Sequence, residues 1–386
     1  MADYFALALT FGLAFVIVLR TIPKLVDIAL SKNIVDVPNH RKLNKKPIPT
    51  LGGIGVFIGI IVSTTTLSYN LNVPDLGFIF TGMILMLYVG IADDLLDMKA
   101  SKKLIYQILT AGLIVFVGGL RFKGLDGLFG IIDLSVEAGC LLTLVVYIGL
   151  TNALNLIDGI DGLASGFGIL ASLVLSAIFY FAGDQGYSIL CMATAGSLLP
   201  FFFFNVFGHR NKIFMGDTGS LILGILFAAI CVHFNNSMEV KAIVGPHSAT
   251  LLLAIFSVPV FDTLRVMLIR MLKGRSPFLP DKRHLHHRII QLGFSHWSAT
   301  RIILGLNALT IGFAFILSPL KEEWQVVFIS LLGVVITAFP AIFLKILKTK
   351  YPNTLRLMRV IFHRAQKKQA PVRNVLTTWA DKVTWN

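Results

Sequence analysis

The chain has 386 residues, of which 55% are hydrophobic and only 14% charged, with a mean hydropathy of +0.79. Soluble domains carry about 25% charged residues, so the composition excludes an ordinary soluble protein and indicates a polytopic membrane protein. The formal net charge of +14 does not argue for nucleic acid, because the basic residues flank apolar runs, where anionic headgroups attract them.

A membrane span needs about 20 mostly apolar residues. In chain order the candidates are 3–22, 50–69, 76–95, 103–120, 134–152, 161–182, 186–206, 214–234, 247–271, 301–319 and 324–347. The expected fold class is therefore all-α, with about 10–11 transmembrane helices. The start MADYFALALT has no basic n-region and no small-residue cleavage site, so it reads as a first span. Cys140, Cys191 and Cys231 sit inside apolar runs and read as core residues, with no disulfide framework.

Most of the 34 Lys and Arg fall in alternate connections: 23–49, 93–102, 153–160, 207–213, 272–300 and the segment from 345, with their borders. The other connections hold only Arg121, Lys123, Lys241 and Lys321. By the positive-inside rule the N-terminus is expected outside and the basic connections cytoplasmic. Two parts follow: an integral membrane catalytic domain, 1–347, and a basic cytoplasmic C-terminal tail, 348–386.

The unusual polar runs all fall on the basic side, and the opposite loops are expected to hold no comparable cluster. LGGIG (51–55) follows the basic stretch NHRKLNKKPIPT. IADDLLD (91–97) places Asp93, Asp94 and Asp97 on one helix face. Taken alone, that run also suits a solvated helix end. In TNALNLIDGIDGL (151–163), Asn155, Asp158 and Asp161 recur every third residue, with Gly159 and Gly162 between them. Hard oxygen donors of this kind suit Mg²⁺, although a capped helix end uses the same residues. HRNKIFMGDTGSL (209–221) puts Asp217 at the start of a span, where backbone amides meet anions. RSPFLPDKRHLHHR (275–288) supplies His284, His286 and His287 beside Arg283 and Arg288. Without Cys or a second ligand pair, this run suits phosphate or proton handling better than zinc.

DDLLD, NALNLIDGIDGL, GDTGSL and HLHHR in this order resemble the polyprenyl-phosphate N-acetylhexosamine-1-phosphate transferase family. The likeness runs from NHRKLNKKPIPTLGG to HLHHR and leaves out mainly the tail. Its HLHH run is similar to the bacterial undecaprenyl-phosphate N-acetylglucosamine-1-phosphate transferases and unlike the triple-His run of the muramoyl-pentapeptide branch. The resemblance implies transfer of GlcNAc-1-phosphate, or a related HexNAc-1-phosphate, from the UDP-sugar to undecaprenyl phosphate, releasing UMP. It implies Mg²⁺ or Mn²⁺ as cofactor, a site at the cytoplasmic face of the inner membrane, membrane lipids around it, no nucleic acid partner and a homodimer. The product opens O-antigen, common-antigen or teichoic acid synthesis.

By the same resemblance, Asp217 and Asn155 match metal-binding positions, and Asp158 and Asp161 match positions lining the nucleotide pocket. Asp93 and Asp94 match the acidic pair near the lipid phosphate, and Lys103 a basic residue that meets phosphate. His284, His286 and His287, with Arg283, match the loop over the diphosphate. Other classes fit less well. A secondary transporter would hold its ionisable groups near the midplane, and a prenyltransferase sharing DDxxD gives no reason for HLHHR. DGLASG (161–166) lacks the Arg of a CDP-alcohol phosphotransferase.

Overall fold

A computed structural model describes the chain except residues 1, 37–46, 69–72, 74, 246, 278–282, 369 and 384–386. Part of the basic stretch 39–50 and part of the loop 275–288 thus lie outside the described residues. The helices, in order, are α1 (Ala2–Ser31), α2 (Gly52–Leu67), α3 (Leu76–Leu96), α4 (Ala100–Gly112), α5 (Val136–Ile157), α6 (Leu163–Ala182), α7 (Gln185–Phe207) and α8 (Gly216–Asn236). After them come α9 (Met238–Val244), α10 (Ser248–Ile255), α11 (Ser257–Met271), α12 (Leu285–Gln291), α13 (His296–Ile316), α14 (Glu322–Lys350), α15 (Pro352–Lys368) and α16 (Ala370–Lys382). Among the described residues the only named strands are Val35–Asp36 and Ile48–Pro49, paired antiparallel.

The all-α reading holds because hydrocarbon offers a backbone no hydrogen-bond partners, and a helix satisfies its own. Among the described residues, nine helices are long and apolar enough to cross a membrane, or ten if the bent pair α9 and α10 counts as one. Three of the expected spans take a different form. The stretch 50–69 becomes a helix of 16 residues, about 24 Å at 1.5 Å per residue, which is short of a span. Its first amides are held by chain rather than water: Gly52 N–H donates to the Phe214 carbonyl and Gly53 N–H to that of Met215, both at 3.0 Å. The stretch 103–120 is α4 extended by a π-helical turn over Leu113–Val117. The stretch 247–271 is two helices, α10 and α11, broken at Phe256.

α8 lies at the centre, with α2, α3 and α5 packed around it. Its core includes fully buried Leu226, Phe227, Ala228 and Phe234. On α1 and α14, by contrast, most of the apolar surface faces outward, as helices in contact with lipid require. Close packing of α3 on α8 depends on Gly90. A Cβ there would run into the Thr218 backbone, so glycine lets the two helices touch at the start of α8, and small residues at helix contacts serve this purpose in membranes. That contact delivers the end of α3, with Asp93 and Asp94, onto the first turn of α8.

The described part of the tail is helical and docked. Leu355 on α15 packs with Leu292, Leu344 and Leu347, and Ala380 on α16 is fully buried.

Candidate active site

The first turn of α8 exposes backbone amides with no partner inside their own helix. Asp94, reaching in from α3, takes them: its Oδ1 accepts from Asp217 N–H at 2.9 Å, and its Oδ2 from Thr218 N–H at 3.1 Å. The Thr218 hydroxyl donates to the same Oδ2 at 2.7 Å. The carboxylate is placed where the helix dipole favours negative charge, and it holds α3 and α8 in register.

Asp217, the second residue of α8, is then surrounded by groups from three other helices. Lys103 of α4 donates to Asp217 Oδ2 at 2.7 Å, and its ammonium also pairs with Asp93 of α3. Asn155 of α5 donates through Nδ2 to Asp217 Oδ1 at 2.6 Å and to the Ser220 hydroxyl at 2.8 Å. Asp93 is only 5% exposed, and its Oδ1 accepts from Met98 N–H at 2.7 Å, which shapes the turn between α3 and α4. Beneath this group Gln107 accepts from Asn152 at 2.8 Å, tying α4 to α5. The structure thus brings together Asp93, Asp94, Lys103, Asn155 and Asp217.

Asp158 ends α5 and leads toward a second group. Burial, and then the negative charges of Asp217, Asp94 and Asp161, push its carboxyl well above the usual carboxylate range. Asp161 faces the other way. Burial works to raise its carboxyl, but His296 and Lys212 outweigh it and hold the group below the ordinary value. Lys212 Nζ lies 2.8 Å from Asp161 Oδ2, and His296 Nδ1 lies 3.5 Å from it. Lys212 also donates to the Asn205 carbonyl, while the Asn205 side chain accepts from Gly162 N–H at 2.6 Å, fixing the start of α6. Thr300 of α13 donates to the Asp161 carbonyl at 2.9 Å. An open pocket of about 270 Å³ lies here, lined by Asp161, Val206, Ser295, His296 and Trp297. Ser295 caps α13 by accepting from Ser298 N–H at 3.1 Å, which sets where His296 and Trp297 project.

The histidine loop is tied to the second group through His286, 2% exposed. Its imidazole packs on Gly159, where any Cβ would collide with the ring. Burial, and then neighbouring His287, push the His286 imidazole down to about 3, so the ring is neutral at physiological pH. The His284 ring stacks parallel to it at 6.0 Å, and the His287 ring lies 4.2 Å away. His284 Nδ1 is 2.9 Å from Asp262 Oδ2, while Asp262 Oδ1 accepts from Leu285 N–H and from Arg265. Arg265 donates in addition to the Arg283 carbonyl at 2.8 Å. The Nε2 atoms of His284 and His286 are buried and meet no hydrogen-bond partner among the described residues.

Sequence reasoning missed four residues of this region. Asp262 and Arg265 were absorbed into an apolar stretch, although an ionisable residue inside such a stretch is itself a signal of function. Lys212 and His296 carried no local motif and are joined to Asp161 only by the fold. The expectation that the opposite end holds no comparable cluster is corrected. At that end His233 Nε2 meets Asp184 Oδ2 at 2.6 Å and stacks on Tyr187 at 3.5 Å, and Tyr187 donates to Asp75 at 3.4 Å. Its members come from the starts of α3 and α7 and the end of α8, so no run of sequence announced them.

The donor set is consistent with a hard divalent cation. Among the described residues no three His, Cys, Asp or Glu side chains converge as a complete cage. Mg²⁺, however, is commonly held by one or two carboxylates together with substrate phosphates and water. The oxygens of Asp217 and Asn155 would be the donors of such a site.

Comparison with known proteins bears on what the cluster does. The model of a family described as glycosyl transferase family 4 matches residues 76–235, which carry the whole acidic group but not the histidine loop. The chain is 31% identical to an undecaprenyl-phosphate alpha-N-acetylglucosaminyl 1-phosphate transferase of Yersinia pestis, over 76% of this chain and 78% of that protein. It is 30% identical to the protein of the same name from Escherichia coli (strain K12), over 79% and 83% respectively. It is also 32% identical to a decaprenyl-phosphate N-acetylglucosaminephosphotransferase of Mycolicibacterium smegmatis, over 72% and 73%.

Proposed function

The chain belongs to glycosyl transferase family 4, and we propose that it moves N-acetylglucosamine 1-phosphate from its UDP-linked form to undecaprenyl phosphate. The products are undecaprenyl-diphospho-N-acetylglucosamine and UMP, and the lipid-linked sugar begins a cell-envelope polysaccharide. The observation that carries the reading is the junction at Asp217, where a lysine, an amide and a helix N-terminus meet a carboxylate cluster. Two anionic phosphates approach only where cationic and N–H groups offset their repulsion.

In this scheme an oxygen of the polyprenyl phosphate attacks the sugar-bearing phosphorus. The phosphorus–oxygen bond to UMP breaks, and the charge leaves with UMP. A phosphate monoester is largely ionised near neutral pH, with a second pKa of about 6, so no strong base is needed. Asp93 accepts any residual proton, and a single displacement accounts for the residues without a covalent phosphoryl-enzyme. Lys103 neutralises phosphate charge between Asp93 and Asp217. Asp94 acts one step back, by fixing the first turn of α8. Asp161 with His296 and Lys212, beside Asp158, receives the nucleotide end, and His284, His286, His287 and Arg283 cover the diphosphate. Mg²⁺ or Mn²⁺, held by Asp217 and Asn155, would withdraw charge from the diphosphate oxygens.

The excess of Lys and Arg in the connections at this end supports a site at the cytoplasmic face of the inner membrane. The test uses membranes containing the protein and radiolabelled UDP-GlcNAc. Label should enter the lipid extract with equal release of UMP, and EDTA should stop both. Undiminished turnover without divalent metal would contradict the scheme. A panel of UDP-sugars on purified protein then reads donor choice.

A further inference from the structure

The pocket at Asp161 has two walls that are distant in sequence. One is the end of α7 with the turn 208–212, which brings Val206 and Lys212 to Asp161. The other is the junction of α12 and α13, which brings Ser295, His296 and Trp297. Both walls are held by the C-terminal helices.

On the first wall, Asp381 of α16 accepts three successive backbone N–H groups through one oxygen: His209 at 2.8 Å, Arg210 at 2.7 Å and Asn211 at 3.4 Å. Successive amides turned toward one point form an anion-binding nest, and here the chain supplies the anion itself. The Asn211 side chain donates back to the carbonyls of Ala380 and Val383, at 3.1 and 3.0 Å. Trp379 lies edge-on to Phe203 of α7 at 5.5 Å. Lys212, the next residue after this nest, is the one that grips Asp161.

On the second wall, Arg359 of α15 donates to the Gln291 carbonyl at the end of α12, through Nε at 3.1 Å and Nη2 at 2.8 Å. Phe362 stacks on Phe294 at 4.1 Å, one residue before the cap of α13. A segment rich in basic residues, which reads from sequence as a cytoplasmic tail, thus joins the two sides of the pocket.

We propose that α15 and α16 form a strap that sets the spacing of the Asp161 pocket, with Asp381 as a positioning residue for binding of the nucleotide-sugar donor. The inference rests on the reading above that this pocket receives the nucleotide. The strap acts through Lys212 and the Ser295–Trp297 segment, and among the described residues it touches none of Asp93, Lys103, Asn155 or Asp217. Its effect is therefore confined to the donor.

The experiment compares Asp381→Ala, Asp381→Asn and Arg359→Met in the full chain, with UDP-GlcNAc and undecaprenyl phosphate varied separately. Asp381→Ala should raise the KM for UDP-GlcNAc about 10-fold, a loss of about 1.4 kcal/mol. The kcat and the KM for the lipid should stay within about twofold. Asp381→Asn keeps an oxygen for the nest and should recover most of the loss. Arg359→Met releases the other wall and should show the same donor-selective rise. An unchanged donor KM in both Asp381→Ala and Arg359→Met, or an equal rise for the lipid, overturns the proposal. Amide hydrogen exchange gives a readout free of substrate. Residues 209–211 should exchange faster in Asp381→Ala, with loosening carried to 159–163, and unchanged exchange at both places also overturns it. If the wild-type protein is inert with UDP-GlcNAc while those exchange changes occur, the substrate reading fails and the strap stands.

Discussion

The two ends of the bundle each carry a polar cluster built on α3 and α8, and they differ in how their carboxylates are partnered. At the Asp75 end, His233 sits between Asp184 and Asp75, with Tyr187 stacked on its ring and donating to Asp75. Every member has a partner in the protein, and the cluster ties together the segments that bear it. At the Asp217 end Lys103 pairs with Asp93 and Asp217, Asp94 is taken by the amides of α8, and Asp158 is crowded by the charges of Asp217, Asp94 and Asp161. Polar residues in a membrane protein therefore do not by themselves mark a site. Carboxylates crowded against one another mark it, because a cationic ligand relieves their repulsion.

That contrast is open to test, beginning with the largest effect. Asp217→Asn should lower transfer of GlcNAc-1-phosphate in membranes at least about 1000-fold, about 4 kcal/mol in the barrier, with protein abundance unchanged. Near-wild-type transfer in that variant would remove Asp217 from the metal and phosphate chemistry. Lys103→Met, which leaves the carboxylates without their cation, should cost about 100-fold in kcat/KM, the scale of losing one preorganised charge-stabilising group. A loss under about threefold would show that the ammonium serves packing only.

At the other end the effect should move from rate to stability. His233→Gln removes the imidazole that joins Asp184 to Asp75 and should lower unfolding stability by about 2 kcal/mol, while kcat per folded molecule stays within twofold. Thermal unfolding in detergent and a rate normalised to folded protein read the two parts. A large fall in kcat with unchanged melting would erase the contrast between the clusters.

The smallest effect concerns His286, whose folded imidazole titrates at about 3, against about 6.5 when unfolded. Between these values the unfolded chain binds the proton and the folded one does not, so its contribution is full above 6.5 and is lost as pH falls toward 3. By pH 5.5 the loss is about 1.4 kcal/mol. His286→Gln should flatten the stability profile over that window, and an unaltered slope would show that the ring is not held neutral.

Much of the site was legible because its residues lie in compact runs. DDLLD, NLIDGIDGL, GDTGSL and HLHHR each place several oxygen or nitrogen donors within one helical turn or loop, and in an apolar chain such density stands out. Asp262 was hidden because it is a single carboxylate within apolar helix, and its partner His284 is 22 residues away. Asp381 was hidden for a related reason. In a basic segment one acid reads as background, and only folding sets it against the amides of 209–211.

The sequence by itself determined that the chain crosses a membrane as helices, because apolar runs in hydrocarbon have no other way to satisfy their backbone. It also determined which runs carry oxygen donors and basic groups. The tertiary structure alone decided which carboxylate is paired, which is crowded and which serves as a cap. Those outcomes depend on distances of a few ångströms between helices, and hydropathy carries no information about them. Asp94 shows the difference. In sequence it is the twin of Asp93, yet the contact allowed by Gly90 commits it to the first turn of α8. Its neighbour meets Lys103 instead.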